Sequence, residues 1–390
     1  MVAPASLSAA RAERSKAQPW LKLSAVFGLL FVFLVGIRGM GNGFEGLGKD
    51  LLDQFFAATA NPFVGLAVGI LGTTLVQSSS VTTSMIVALV AAPANPLPIA
   101  NAIPMIMGAN IGTTVTNSLV ALGHIGRPDE FRRAFAAATC HDFFNFMAAA
   151  ILLPLEILTG FLAKTSQLLS SFLVGSATGA ELPNPVKVGA KAALRPLELT
   201  LGAVFADPRW YSVALIVISA LIIFLCLSLI VKTLRSMAAG RMQTAITRSL
   251  DTNPLMGILI GIVVTVMVQS SSITTSVLVP LAGAGLVTVR QVFPITLGAN
   301  VGTTVTALVA SLAVPASTAH LAVQIASVHL LFNVVGIGLI YPWGRIRSLP
   351  INAAKRLARV AVRSRKTAIV YVLVLFYGIP GALIALSRWL

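Results

Sequence analysis

Asn61–Val87 reads NPFVGLAVGILGTTLVQSSSVTTSMIV, and Asn253–Val279 reads NPLMGILIGIVVTVMVQSSSITTSVLV. Aligned without gaps, 15 of these 27 positions are identical, and Gln77 and Gln269 lie 192 residues apart. Further along, Gly108–Thr116 (GANIGTTVT) matches Gly298–Thr306 (GANVGTTVT) at eight of nine positions, 190 residues apart. A weaker third pair sets His141-Asp142-Phe143-Phe144-Asn145 against His329-Leu330-Leu331-Phe332-Asn333, at a spacing of 188. Three matches in the same order, with a slowly shrinking spacing, mark a duplicated chain. Duplicated membrane halves are a hallmark of transporters.

Composition puts those halves in a bilayer. Hydrophobic residues make up 56% of the 390 positions and charged residues only 10%, with a mean hydropathy of +0.90. Soluble domains average about 25% charged residues. Leu21–Val35, Tyr211–Val231 and Ala368–Leu386 are near-continuous apolar runs of the order needed to cross the hydrocarbon, about 20 residues. The fold class expected is an all-α polytopic membrane protein, with the first span retained because no signal-peptide cleavage site follows the polar start Met1–Gln18. The formal charge of +16 would suggest nucleic acid in a soluble chain. In a membrane protein it reflects Lys and Arg collected on cytoplasmic loops. Cys140 and Cys226 both sit in apolar stretches and read as packing residues rather than a disulfide.

Charge placement orients the halves. Gly41–Ala60 carries Lys49 against Glu45, Asp50 and Asp53, whereas the segment after the Tyr211–Val231 span has Lys232, Arg235, Arg241 and Arg248 against Asp251. The loop around Arg127, Arg132 and Arg133 is basic, while its counterpart Ala313–Thr318 is uncharged. Ser171–Asp207 is lightly charged, but Arg345–Lys366 holds eight Lys or Arg residues and no acid. At each place one copy is basic and its twin is not, so the repeats are expected to have inverted topology. The segments expected are a cytoplasmic tail, 1–18; a span and interfacial helix, 19–60; the first core, 61–170; an extracellular loop, 171–207; a second span and cytoplasmic interfacial helix, 208–252; the second core, 253–342; a basic cytoplasmic segment, 343–366; and a final span, 367–390. That span leaves the C-terminus outside unless Gly378-Ile379-Pro380-Gly381 bends it back.

The cores are not simple spanning helices. Gln77–Ser80 and Thr82–Ser84 put seven polar side chains within eight positions, and polar groups at membrane depth persist only when buried in protein or lining a wet cavity. Asn61-Pro62 and Asn253-Pro254 punctuate each core, and Gly65/Gly69 with Gly257/Gly261 give the small-xxx-small pattern for close helix approach. Each core is read as a re-entrant hairpin or broken helix meeting its twin near the midplane. A lone membrane Ser or Thr usually bonds back to the i−4 carbonyl. A polar string present in both halves points instead to a two-fold-related ligand site. Its hydroxyl and amide oxygens suit alkali cations, and with half-helix N–H groups they can hold an oxyanion. No Lys or Arg lies in Asn61–Val87 or Asn253–Val279, so an anion there needs co-bound cations. That is the electrostatic logic of sodium–anion symport. Asp142 fits as a cation ligand in one half only, because its equivalent is Leu330.

The paired QSSS strings, the paired GANxGTTVT strings and Arg132–Gly160, RRAFAAATCHDFFNFMAAAILLPLEILTG, together resemble the type II sodium–phosphate cotransporter family over about residues 20–342. The resemblance implies inorganic phosphate as substrate, driven by co-transported sodium through alternating access in the plasma (inner) membrane, with no other cofactor. It implies a phosphate site of Gln77, Ser78, Ser79 and Ser80 with Gln269, Ser270, Ser271 and Ser272. Sodium sites would draw on Thr73, Thr82, Thr83, Asn110, Thr113, Thr114, Asp142 and Asn145, and on Thr274, Thr275, Asn300, Thr303, Thr304 and Asn333. In that family an Asp at the position of Asp142 accompanies electrogenic transport, and relatives with Gly there are electroneutral. One departure is that vertebrate members carry a large glycosylated, disulfide-linked loop between the halves. Here Ser171–Asp207 has neither a Cys nor an Asn-x-Ser/Thr sequon, which suits a minimal, bacterial-type version.

His141 and His329 admit two readings, a hydrogen-bonded structural residue or a proton carrier. Glu156 sits near the end of its helix and is left off the site. Lys355–Lys366 reads first as a topology determinant and second as an anionic-lipid contact. Two other classes compete. A passive anion channel would ignore sodium, and a phosphate-handling enzyme would need a nucleophile beside a base or a metal cluster. No such catalytic set is evident, and the chain is expected not to be an enzyme.

Overall fold

Each repeated core folds as two short helices joined by a sharp break, and the break is written into the QSSS string. The computed structural model describes residues 5–47, 49–93, 95–175, 185–249 and 253–387. The first half comprises α1 (Ala5–Glu45), α2 (Lys49–Ala60), α3 (Pro62–Val76), α4 (Ser79–Val90), α5 (Ile99–Gly112), α6 (Val115–Leu122), α7 (Pro128–Thr159) and α8 (Phe161–Gly175). After α9 (Pro185–Val204), the second half repeats the series as α10 (Pro208–Ser249), α11 (Pro254–Val268), α12 (Ser271–Gly283), α13 (Val289–Ser311), α14 (Ala319–Ile340) and α15 (Gly344–Arg363). The last span is α16 (Arg365–Leu373), a π-helical turn (Val374–Gly378) and α17 (Ile379–Leu386). The described residues contain helices and no strands, and seven stretches are long and apolar enough to cross a membrane. The chain is therefore an all-α polytopic membrane protein.

Local sequence explains where the core helices start and stop. Asn61 and Asn253 cap α3 and α11, accepting hydrogen bonds from the Phe63 and Leu255 amides at 3.0 and 3.1 Å, with Pro62 and Pro254 in the first turn. Proline suits that position because its missing N–H has no partner there in any helix. Both helices end on a glutamine in the left-handed region, Gln77 at φ 57° and Gln269 at φ 56°. These are the two non-glycine residues with positive φ among those described. Ser78 and Ser270 then return to extended backbone, and their Oγ atoms accept from the Val81 and Ile273 amides at 3.4 Å, starting α4 and α12.

The break folds the chain back on itself. Thr265 Oγ1 donates to Thr274 Oγ1 at 2.9 Å, although nine residues of straight helix would separate them by about 13 Å. In the first half, the position of a β-carbon on Gly72 lies 3.6 Å from Thr82 Cγ2, ten residues on. Upstream, the 52–60 stretch of α2 turns 109° into α3 at Asn61.

The two hairpins dock on the central spans through glycine. α3 crosses α5, and α11 crosses α13. A β-carbon on Gly69 would run into the Met105 carbonyl, and one on Gly108 into the Leu66 carbonyl. Gly261 and Gly298 meet Ile295 and Ile258 in the same way. Several other contacts map onto each other when the halves are exchanged. α8 packs on α14 as α15 packs on α7, and α4 touches α13 as α12 touches α6. One apolar core runs through both halves, with Phe135, Phe144, Phe293 and Phe332 fully buried within it.

One expectation needs correction. The segment expected to be a loop, 171–207, contains α9, whose Ala190, Leu194 and Leu201 are buried against Val35 of α1 and Leu215 of α10. Modest hydropathy and the internal Pro196 hid that helix. The final span, expected to leave the C-terminus outside unless Gly378–Gly381 bends it back, does not reverse there. It runs from Arg365 to Leu386 and absorbs the disturbance as the π turn. The Lys232–Asp251 stretch continues α10 as far as Ser249, and the side chains of Arg235, Arg241, Arg248 and Asp251 lie outside the described residues.

Gly108→Ala is expected to cost about 1–3 kcal/mol, the usual range for overpacking a filled contact. Gly338→Ala, which meets nothing within 4 Å, should leave the unfolding midpoint in detergent unchanged or slightly raised. Equal midpoints for the two variants would contradict the close-crossing reading.

Candidate functional site

The left-handed glutamines do more than end helices. Gln77 Nε2 donates to the Thr74 carbonyl, and Gln269 Nε2 donates to the Val266 carbonyl at 2.7 Å. Each side-chain oxygen then accepts from the last threonine of the neighbouring GANxGTTVT string. Thr116 Oγ1 donates to Gln77 Oε1 at 3.1 Å, and Thr306 Oγ1 donates to Gln269 Oε1 at 3.0 Å. The two repeated strings are thus joined within each half by one pair of residue types. Ser80 of the first half in turn donates to Thr306 of the second at 3.5 Å.

That cross-half contact has a counterpart of a different form. Exchange of the halves carries Ser80 and Thr306 onto Ser272 and Thr116. Ser80 and Thr306 are buried and touch each other, whereas Ser272 and Thr116 are half-buried and line a cavity of about 510 Å³. The cavity follows α12 through Ser276 to Leu281. Close to that end, Arg133 Nε donates to the Gly283 carbonyl at 2.8 Å.

Behind the hairpins lies a buried amide network with the same two-fold pattern. Asn110 Nδ2 donates to Asn145 Oδ1 and to Asn333 Oδ1, both at 3.1 Å. Asn300 Nδ2 donates to Asn145 Oδ1 at 2.9 Å, and Asn333 Nδ2 donates to Asn110 Oδ1 at 3.2 Å. His141 Nε2 meets Asn300 Oδ1 at 2.6 Å, and His329 Nε2 meets Asn110 Oδ1 at 3.2 Å. Each histidine of one half therefore engages the GAN asparagine of the other. This is the hydrogen-bonded structural arrangement, and it ties four of the expected site residues together.

Asp142 breaks the symmetry. Its carboxylate is fully buried, and Oδ2 accepts from Tyr371 Oη at 2.8 Å and from Ser118 Oγ at 3.2 Å. Oδ1 has no hydrogen-bond partner, and leaving a buried charged oxygen unsatisfied is costly. Thr73 Oγ1, also buried, is without a partner too, although its twin Thr265 bonds Thr274. These two oxygens have the chemistry of cation ligands in the first half.

The other expected ligands divide by where their hydroxyls point. Thr113 and Thr303 donate to their own i−4 carbonyls at 3.0 Å, and Thr114 and Thr304 donate to i−3 carbonyls. Thr82, Thr83 and Thr274 likewise bond back to their own helices. Such hydroxyls keep oxygen lone pairs, but they are held by local geometry rather than gathered around one point. Thr275 is different, since it also donates to Asn117 Oδ1 at 2.8 Å across the half boundary. Ser79 and Ser271 occupy the first turns of α4 and α12 and are buried.

Sequence reasoning missed Thr116, Thr306, Asn117, Ser118 and Tyr371. The first two end the repeated GANxGTTVT string, so the repeat itself carried the signal. Asn117 and Ser118 correspond to Ala307 and Leu308, and Tyr371 lies beyond the duplication. Nothing in the repeat marks those three.

The sequence profile of the Na+/Pi-cotransporter family matches residues 32–178 and 221–360. The chain is 33% identical to sodium-dependent phosphate transport protein 2B of Homo sapiens, and equally to that of Pongo abelii, over 94% of its own length and 65% of theirs. It thus spans just under two thirds of those relatives. It is 34% identical to sodium-dependent phosphate transport protein 2A of Rattus norvegicus, over 94% of its length and 68% of the relative's. No solved structure matches it.

The glutamine geometry makes a direct prediction. Gln77→Gly should be more stable than Gln77→Ala by about 1 kcal/mol, because a β-carbon in the left-handed region carries a steric cost that glycine escapes. Thermal unfolding of the two variants in detergent tests this, and an alanine variant as stable as the glycine one would contradict the left-handed assignment.

Proposed function

We propose a transport cycle from one premise: this chain belongs to the Na+/Pi-cotransporter family. Its cargo is inorganic phosphate, carried with sodium into the cell across the plasma membrane, and the N-terminus is cytoplasmic. The observation that carries the cycle is the unequal pair of cross-half contacts. Ser80 touches Thr306, while the equivalent Ser272 and Thr116 stand on a cavity wall. Two related pathways, one shut and one open, are what alternating access requires of a duplicated carrier.

Span counting supports the inverted arrangement. Each half has three candidate spans: 20–45, 99–122 and 128–159 in the first, and 208–234, 289–311 and 319–340 in the second. An odd number of crossings starts the second half on the opposite side, provided the hairpins enter and leave on one side. At about 22 Å each, the 15-residue helices α3 and α11 are too short to cross about 30 Å of hydrocarbon. The open pathway follows α12 towards Gly283, which meets Arg133 on the face that the Lys and Arg bias assigns to the cytoplasm.

In this reading the phosphate sits between the N-termini of α4 and α12. Unpaired first-turn N–H groups and aligned peptide dipoles make helix N-termini natural oxyanion sites. The hydroxyls of Ser79, Ser80, Ser271 and Ser272 add donors, and Gln77 and Gln269 hold the two breaks open. With no Lys or Arg in either hairpin, the anion's charge is offset by sodium. Asp142 Oδ1 and Thr73 Oγ1 contribute to a sodium site that the second half lacks. Ser118 and Tyr371 orient that carboxylate through Oδ2. A charge-bearing ligand present in one half only makes the cycle electrogenic. Membership of that family supports a transporter rather than an enzyme.

In proteoliposomes, phosphate uptake is expected to need an inward sodium gradient and to quicken when the interior is negative. Asp142→Gly should abolish the voltage dependence while sodium-driven uptake persists. Equal uptake in sodium and potassium would replace the symporter with a passive anion pathway. Access gives a second test, because the native thiols Cys140 and Cys226 are buried. In inside-out vesicles, Ser272→Cys should react with a membrane-impermeant maleimide at least tenfold faster than Ser80→Cys, and comparable rates would contradict the unequal pathways.

A further inference from the structure

The second cavity of note lies past the C-terminal end of α12, between the start of α7 and one face of α15. It has a volume of about 480 Å³ and is lined by Arg132 and Arg133 from α7 and by Asn352, Lys355, Arg356 and Arg359 from α15. The α15 residues recur at spacings of three and four, which stacks them on one side of the helix. The buried side of α15, through Ile351, Ala354, Ala358 and Ala361, is packed, and α15 rests on α7. Two helices held together by small apolar residues thus present five cationic groups to one space. No acid lines it. The nearest carboxylate partner is Asp129, which meets Arg132 at 3.4 Å from a largely exposed position.

A topology signal does not require this arrangement. The positive-inside bias depends on how many Lys and Arg flank the spans, not on their facing one cavity. Arg363, Arg365 and Lys366 satisfy that bias without lining it. Nor is the cavity a by-product of the duplication. α8 packs on α14 as α15 packs on α7, yet its one basic residue, Lys164, donates to its neighbour carbonyl at Thr159. Five like charges around one space repel each other, and an anion between them offsets that repulsion. Arg133 is already fixed by its Nε bond to the Gly283 carbonyl, and guanidinium groups match phosphate oxygens in paired hydrogen bonds.

We infer that this cavity binds a phosphate-bearing anion, bridging α7 and α15 at the basic membrane face, independently of the transport site. Two sources share that chemistry, the headgroup of an anionic phospholipid and free inorganic phosphate. The volume falls among those of ligand pockets, roughly 300–1,000 Å³, and favours the headgroup over a bare ion.

The test titrates the purified full-length protein in neutral detergent and follows its unfolding temperature. One arm adds dioctanoyl phosphatidylglycerol, and the other adds inorganic phosphate in sodium-free buffer. Three forms are compared: the unaltered chain, Arg356→Gln/Arg359→Gln, and the charge-matched control Arg363→Gln/Arg365→Gln. Stabilisation of the unaltered chain and the control, with the half-effect concentration raised roughly 30-fold in the cavity variant as loss of two basic contacts implies, supports the site. The arm in which this appears identifies the source. Equal weakening of both double variants would overturn the inference in favour of diffuse surface charge. Absence of stabilisation in both arms would overturn it outright.

Discussion

Interrupting a helix inside an apolar slab frees backbone groups that water cannot reach, and each bare group there costs several kcal/mol. The breaks at Gln77–Ser78 and Gln269–Ser270 meet that constraint unevenly. On the carbonyl side, the glutamine side chains reach back to Thr74 and Val266, and the Gln269 amide still closes onto Thr265. On the amide side, each serine cap takes one N–H, of Val81 or Ile273. The remaining first-turn amides of α4 and α12 gain no such partner from within their helices. The result is two positive helix ends, held open by the same side chains that complete the preceding turns. Removing the glutamine would disturb the carbonyl side and its tie to Thr116 or Thr306.

Close backbone packing keeps those breaks in place. Because Gly69 meets the Met105 carbonyl and Gly261 meets the Ile295 carbonyl, each first hairpin helix lies on its crossing span with almost no side chain between. Such contacts have little slack, since filled interiors transmit displacement rather than absorb it. Thr116 and Thr306 extend the connection from those spans to the glutamines. A shift of α5–α6 or α13 would therefore carry a hairpin end with it. The amide network of Asn110, Asn145, Asn300 and Asn333 ties the two central spans together behind the site.

Much of this was legible in the residues, and the reasons are specific. Polar strings repeated in an otherwise apolar chain located both breaks, because nothing but a buried or wet environment tolerates them there. The small-xxx-small glycines foretold the close crossings. The left-handed backbone at Gln77 and Gln269 was not legible, since that conformation is usually signalled by glycine and no glycine stands there. Long-range partners were equally hidden. Tyr371 reaches Asp142 from 229 residues away, and only the fold brings that span alongside α7. Several threonines picked as ligands bond back to their own helices, the ordinary fate of a hydroxyl in a membrane helix. The helix in 171–207 escaped notice because its apolar side faces α1 and α10 rather than a continuous apolar environment.

The duplication has a thermodynamic consequence. In the proposed cycle, identical halves would make the inward-open and outward-open forms interchange when the halves are exchanged, and the two would be equally populated by symmetry alone. Every residue that breaks the match then contributes to the free-energy gap between the states. Asp142 facing Leu330, a solitary Thr73 against a paired Thr265, and a cluster of arginines on α7 and α15 without a twin are the places where that gap is written. A bound ligand can move the balance only by as much as it prefers one state. The resting bias of the carrier is thus a property of its mismatched positions, while its pathway is a property of its matched ones.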